Sequence, residues 1–146
     1  VNEKWHKRYL YLAKEVSTWS KDTTQIGAIA IGDKGQVLAQ GYNGFPRGIK
    51  DTDARYFDRE KKYKYVVHAE QNLIYNATYN GVSLDGSRLY VVGLPICSEC
   101  AKAIIQVGVK EVIMPTQDVP PHWKDSWAFT QELFKEAGIK WTMIKV

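Results

Sequence analysis

The sequence predicts an α/β protein with three α/β/α layers around a mixed five-stranded sheet. Three observations predict it. In the second half of the chain, short β-branched runs alternate with segments of helical spacing. Earlier, two strand-like runs flank Gly32-Asp33-Lys34-Gly35, which reads as a hairpin turn. Finally, Gly81, Gly108 and Gly138 each follow a helical segment, where left-handed caps end helices. A chain of 146 residues hides roughly 70% of its unfolded surface on folding, enough for a real core. One domain over residues 1–146 is expected.

Taken in order, Trp5, Tyr9, Leu12, Ala13, Val16 and Trp19 recur at helical spacing and predict a first helix. Gln25 to Ile31 and Gln36 to Gly41 predict the two strands of an antiparallel hairpin. Gly41 to Gly48 (GYNGFPRG) has three glycines and a proline and predicts a loop. Ile49 to Lys64 is charged and tyrosine-rich with weak periodicity, and predicts a surface loop with at most one helical turn. His68 to Asn80 predicts a helix, Arg88 to Gly93 a strand, and Cys97 to Val107 a helix. Lys110 to Met114 predicts a strand, Trp123 to Ala137 a helix and Lys140 to Lys145 the last strand. Strand, helix, strand in succession implies parallel pairing through right-handed crossovers.

Twenty basic against sixteen acidic residues leave a net charge of +4. That suits a phosphorylated small molecule but falls short of the dense basic stripe of stable nucleic-acid binding. No apolar run approaches a membrane span, and the first residues are polar. A cytoplasmic protein is expected.

The chemistry concentrates in His68-Ala69-Glu70 and Pro95-Ile96-Cys97-Ser98-Glu99-Cys100. Cys97 and Cys100 are the only cysteines. They are able to form a disulfide, but a lone CxxC without a secretory signal points to metal or redox work. At the start of a helix, positions i and i+3 share a face, and the helix N-terminus favours thiolates. Thiolates with an imidazole favour zinc. His68, Cys97 and Cys100 make three ligands and leave one position open, as catalysis requires. His6 and His122 are candidate fourth ligands, and either would turn the site into a structural staple. Two residues apart within a helix, His68 and Glu70 would point about 200° from each other. They converge only if His68 enters the helix at its first turn.

His-Ala-Glu followed by Pro and Cys-x-x-Cys resembles the signature of the zinc-dependent cytidine deaminase superfamily. Gln25-Ile26-Gly27-Ala28, the Gly41–Gly48 loop and Cys100-Ala101-Lys102 narrow the resemblance to the deoxycytidylate (dCMP) deaminases. It runs from about Asp22 to Met114. The resemblance implies a cytidine-deaminase-like fold, one zinc per chain and hydrolytic deamination of dCMP to dUMP, which feeds thymidylate synthesis. It further implies that metal-activated water attacks C4 of cytosine while Glu70 carries protons to N3 and to departing ammonia. The Ala69 N–H would hold the cytosine O2, and Asn43 would contact the sugar. Arg47 is a candidate phosphate contact, against the plainer reading of a solvated loop charge. None of Tyr63, Tyr65, Trp123 and Trp127 is assigned to the site.

Several members of the family are hexamers switched by dCTP and dTTP. Such effectors, with Mg2+ accompanying the nucleotide, and a homo-oligomer (hexamer or dimer) are expectations of the same kind. Two departures stand out. Ile96 separates Pro95 from Cys97, where the common signature joins them. Ile49 to Val67 also lacks the Cys and His residues that hold a second, structural zinc in many relatives. The alternatives are a deaminase of another cytosine nucleotide or nucleoside or of a 5-substituted dCMP, a tRNA adenosine deaminase, or a non-catalytic zinc module.

Overall fold

The computed structural model describes residues 2–146. Along the chain run α1 (Glu3–Ser17), β1 (Gly27–Ile31), β2 (Val37–Tyr42), α2 (Asp53–Tyr56) and α3 (Arg59–Tyr65). Then follow α4 (Ala69–Tyr79), β3 (Arg88–Val92), α5 (Ser98–Gln106) and β4 (Glu111–Pro115). A single 3-10 turn (Pro121–Trp123), α6 (Lys124–Ala137) and β5 (Lys140–Ile144) complete it. The five strands form one mixed sheet in the order β2-β1-β3-β4-β5. β1 pairs antiparallel with both β2 and β3, while β3, β4 and β5 are parallel. The predicted three layers and the parallel second half are therefore both present.

Side chains of a strand alternate between faces, and the two faces of this sheet build two cores. On one face, Leu10, Ala13 and Val16 of α1 cover Ile29, Ile31, Tyr90, Val92 and Ile113. On the other, Leu73 and Ala77 of α4, Ile104 of α5 and Phe134 of α6 cover Ala28, Ala30, Leu89, Val91 and Met114. Every residue of β1 and β3 is buried, as expected of central strands with helices on both sides. Burying a side chain such as Leu73 or Phe134 stabilises by roughly 1.5–3 kcal/mol. A Cβ on Gly41 of β2 would collide with the backbone of Ala69 and Leu73. The missing side chain there lets α4 lie directly on the sheet, which fixes the height of its N-terminus. At the end of α6, Gly138 takes the left-handed conformation (φ 79°) that stops the helix.

Three expectations need correction. Ile49 to Lys64 is not a plain loop, because α2 and α3 lie within it. Their N-caps, Thr52 and Asp58, accept hydrogen bonds from Arg55 N–H and Lys61 N–H. The buried face of α1 is Leu10, Ala13, Val16 and Ser17, while Trp5, Leu12 and Trp19 are exposed. The last helix begins at Lys124, after the 3-10 turn, because Pro120 and Pro121 cannot donate backbone hydrogen bonds.

Candidate active site

His68 is the N-cap of α4, with extended backbone (φ −66°, ψ 152°). It therefore departs from the helix direction, and the condition for His68 and Glu70 to face one site is met. The approach to His68 is pinned from the glycine-rich loop. Gly44 and Val67 exchange two backbone hydrogen bonds (3.1 and 2.8 Å), and Asn72 Nδ2 donates to Tyr42 O (2.8 Å). His68 supplies no side-chain cap to the N–H groups of the first turn of α4, and Ala69, the expected contact for the cytosine O2, is fully buried at that turn.

Cys97 is the N-cap of α5, and its sulfur accepts from Cys100 N–H (3.4 Å). The extra residue before it, Ile96, is fully buried, and α6 braces the segment. Thr130 Oγ1 donates to Ile96 O (2.8 Å), Trp123 Nε1 to Pro95 O (2.7 Å), and Ser98 N to Ser126 Oγ (2.9 Å). Groups behind the ligands thus hold the cysteine segment in place, as supporting shells of metal sites do.

Both cysteines are free and buried. His68 Nδ1 lies 3.4 Å from Cys97 Sγ and 3.3 Å from Cys100 Sγ. All three ligand atoms lie within 4.8 Å of one another. A tetrahedral zinc with bonds of about 2.0–2.1 Å to nitrogen and 2.3 Å to sulfur would set N and S about 3.6 Å apart. The three side chains fit that ion with a shift of a few tenths of an ångström. Neither candidate fourth ligand joins them. His6 hydrogen-bonds Tyr90 (2.7 Å), which faces the α1 core, and His122 borders the cavity outside the ligand cluster.

The electrostatics favour a cation. The Cys97 thiol is drawn down to about 4, first by the hydrogen bond from Cys100 and then by His68. Cys100, the donor to that sulfur, is pushed upward by the same bond and by burial. Its hydrogen bond to Cys97 raises His68. Glu70 is 4% exposed, and burial, with the Cys97 charge second, raises its carboxyl to about 7. A carboxyl poised there takes up and releases protons readily near neutral pH.

His68 and Glu70 border a cavity of about 100 Å3 that also touches Asp22, Thr24, Asn43, Lys62, Tyr63, Pro95 and Trp123, with the two cysteines buried behind His68. Asn43 is buried, and its amide is committed to Thr24 O (2.8 Å) and Ile26 N (3.0 Å) while one edge lines the cavity. Arg47 is not brought there. It donates to Asn76 Oδ1, lies over the Tyr79 ring (5.0 Å) and lines a separate groove of about 650 Å3. Within this chain the candidate phosphate contact is spent on α4. Sequence reasoning missed Asp22, Lys62 and the cavity edge of Trp123. Asp22 and Lys62 form a partly buried pair at 3.2 Å, with side chains 5% and 15% exposed. The Asp58 cap was the available signal for the helix that carries Lys62.

Comparison with known proteins agrees with this geometry. Residues 3–116 match the family described as the cytidine and deoxycytidylate deaminase zinc-binding region. A deaminase of Aliivibrio fischeri, itself uncharacterized, is 37% identical over 144 residues, covering 97% of this chain and 94% of that protein. Human deoxycytidylate deaminase is 36% identical over 142 residues, covering 92% and 76%. The crystal structure of cyanophage S-TIM5 dCMP deaminase in complex with dCMP and dUMP superposes with a TM-score of 0.78. It is 26% identical and covers 99% of each chain. With the family match over residues 3–116 and relatives more than a third identical over most of its length, the chain belongs to the cytidine and deoxycytidylate deaminase family.

Proposed function

We propose that the chain hydrolyses dCMP to dUMP and ammonia and so supplies dUMP for thymidylate synthesis. One observation carries the reading: His68, one member of a His/Cys/Cys ligand cluster, and the buried Glu70 carboxyl line the same small cavity. The likeness to dCMP deaminases over nearly the whole chain supports the choice of base and sugar.

His68, Cys97 and Cys100 would hold a single zinc, which as a Lewis acid lowers the pKa of water from about 15.7 to about 7. Glu70 accepts the proton of the attacking water and passes it to N3 of the ring. Once the C4–O bond has formed, Glu70 takes the remaining proton of the new C4 hydroxyl and delivers it to the amine, which leaves as ammonia as the C4–N bond breaks and the C4 carbonyl forms. The Ala69 N–H, at the positive end of α4, holds the cytosine O2. Asn43, fixed by Thr24 and Ile26, presents its cavity edge to the sugar.

We extend this reading to dCTP and dTTP effectors at the groove beside Gly44 to Arg47 and to a homo-oligomer; no carboxylate lines that groove to hold the Mg2+ expected with the nucleotide. Two free thiols are in keeping with a reducing cytoplasm. Among the described residues no helix is long and apolar enough to cross a membrane.

The test follows cytosine absorbance with zinc-loaded protein and dCMP, cytidine, dCTP or an RNA hairpin. The expected result is fastest turnover of dCMP. No turnover of dCMP, or faster turnover of another substrate, overturns the assignment.

A further inference from the structure

The cavity that holds Glu70 is too small for a whole nucleotide, but it does not end at its own walls. A second chamber of about 380 Å3 adjoins it, and both are bordered by Thr24, Lys62, Tyr63 and His122. That volume falls in the range in which proteins hold small ligands. The outer chamber adds Lys21 and Arg59, and no carboxylate side chain lines it. The charged side chains lining it are therefore all basic, although Lys21 is itself paired with Asp51 (3.2 Å).

The local sequence explains why the cations converge. Arg59, Lys62 and Tyr63 stand at i, i+3 and i+4 of α3 and so share one face. The Arg59 guanidinium lies 5.4 Å and the Lys62 ammonium 5.2 Å from the centre of the same Tyr63 ring. Lys62 is held further by Asp22 Oδ1 at 3.2 Å, an oxygen that also accepts from Thr24 N–H (3.0 Å). An ammonium has three donors, so this pairing orients Lys62 and leaves two for a ligand. Gathering like charges around one ring costs free energy that a bound dianion would offset, through charge-assisted hydrogen bonds about twice as strong as neutral ones.

We infer that the outer chamber is the subsite for the 5′-phosphate of the substrate, with Lys62 and Arg59 as its specificity-determining residues. This rests on the reading of dCMP as substrate. A pyrimidine nucleotide has a flat ring at one end and a dianion at the other. The two chambers match these in order: the ring meets Glu70 in the inner one, and the phosphate meets α3 in the outer one. Selection of nucleotide over nucleoside then lies in α3, the short helix just before the metal ligand His68.

The experiment compares kcat/KM for dCMP and for deoxycytidine, using the zinc-loaded full chain. Lys62→Met is expected to lower the preference for dCMP roughly tenfold or more, through KM for dCMP, and Lys62→Arg to keep most of it. Lys62→Met leaves Asp22 unpaired, so exposed Arg59→Ser serves as an independent variant, with an expected loss of preference of roughly threefold to tenfold. If Lys62→Met and Arg59→Ser retain the wild-type ratio of the two substrates, the subsite is overturned. A wild type without any preference for dCMP overturns the substrate reading instead, so the two failures are told apart.

Discussion

The helix starts that carry the metal ligands and the α2–α3 segment meet around one cavity, lined by His68 and Glu70 from the first and by Lys62 and Tyr63 from the second, yet they are held in opposite ways. His68 and Cys97 sit at N-caps of helices whose next turns are buried against the sheet. In α2 and α3 a single residue, Tyr56, is buried. Its neighbours hold by polar and aromatic contacts: Phe45 stacks on Tyr56 (4.3 Å), Arg55 lies over Tyr65 (4.5 Å), and Lys62 pairs with Asp22. The side chains of the chemistry are anchored to the core. Substrate selection rests on a lightly packed segment, which opens locally at lower cost.

Several changes would break or sharpen this contrast. The largest effect is expected at the core-anchored side: Cys100→Ala removes one of three ligands, and bound zinc, measured by metal analysis, should fall to near background together with turnover. Glu70→Gln should keep the zinc and lose about 10²–10⁴-fold in kcat, since it removes proton transfer alone.

The pH dependence of stability in metal-free protein follows from the raised Glu70 carboxyl. The folded state keeps a proton that the unfolded chain releases from about 4.5 upward, so this burial destabilises increasingly as pH rises toward about 7. Glu70→Gln removes that component. Its stability relative to wild type should grow by about 3 kcal/mol between pH 4.5 and pH 7.5, read from denaturant midpoints. A constant difference across that range would contradict the burial argument.

Smaller effects test the bracing. Thr130→Val removes the hydroxyl that holds Ile96 O and should cost about 1 kcal/mol in denaturant unfolding, with weaker zinc retention against a chelator. Arg47→Ala lies on the other groove, and kcat/KM for dCMP should change by less than about twofold.

Legibility in the sequence divides along the same line. The metal triad was readable because spacing decides it: CxxC at a helix start needs no knowledge of distant packing, and His-Ala-Glu needs only an N-cap. The sheet was readable because central strands are uninterrupted apolar runs, as in Gly27–Ile31 and Arg88–Val92 apart from the arginine. The α2–α3 helices were not read, since they are too short and too charged to show an apolar stripe, and only Thr52 and Asp58 mark them. The partly buried pair of Lys62 with Asp22 joins residues 40 apart in sequence, and nothing local announces it. Arg47 shows the converse, a loop cation that tertiary structure directs away from the cavity.

X-ray absorption at the zinc edge of the loaded protein, alongside His122→Ala, tests the three-ligand site most directly. The expected spectrum has two sulfurs at about 2.3 Å and two lighter neighbours at about 2.0 Å, one of them imidazole, unchanged in the variant. A second imidazole that disappears with His122 would mean a closed site held by four side chains, and the catalytic reading would fail.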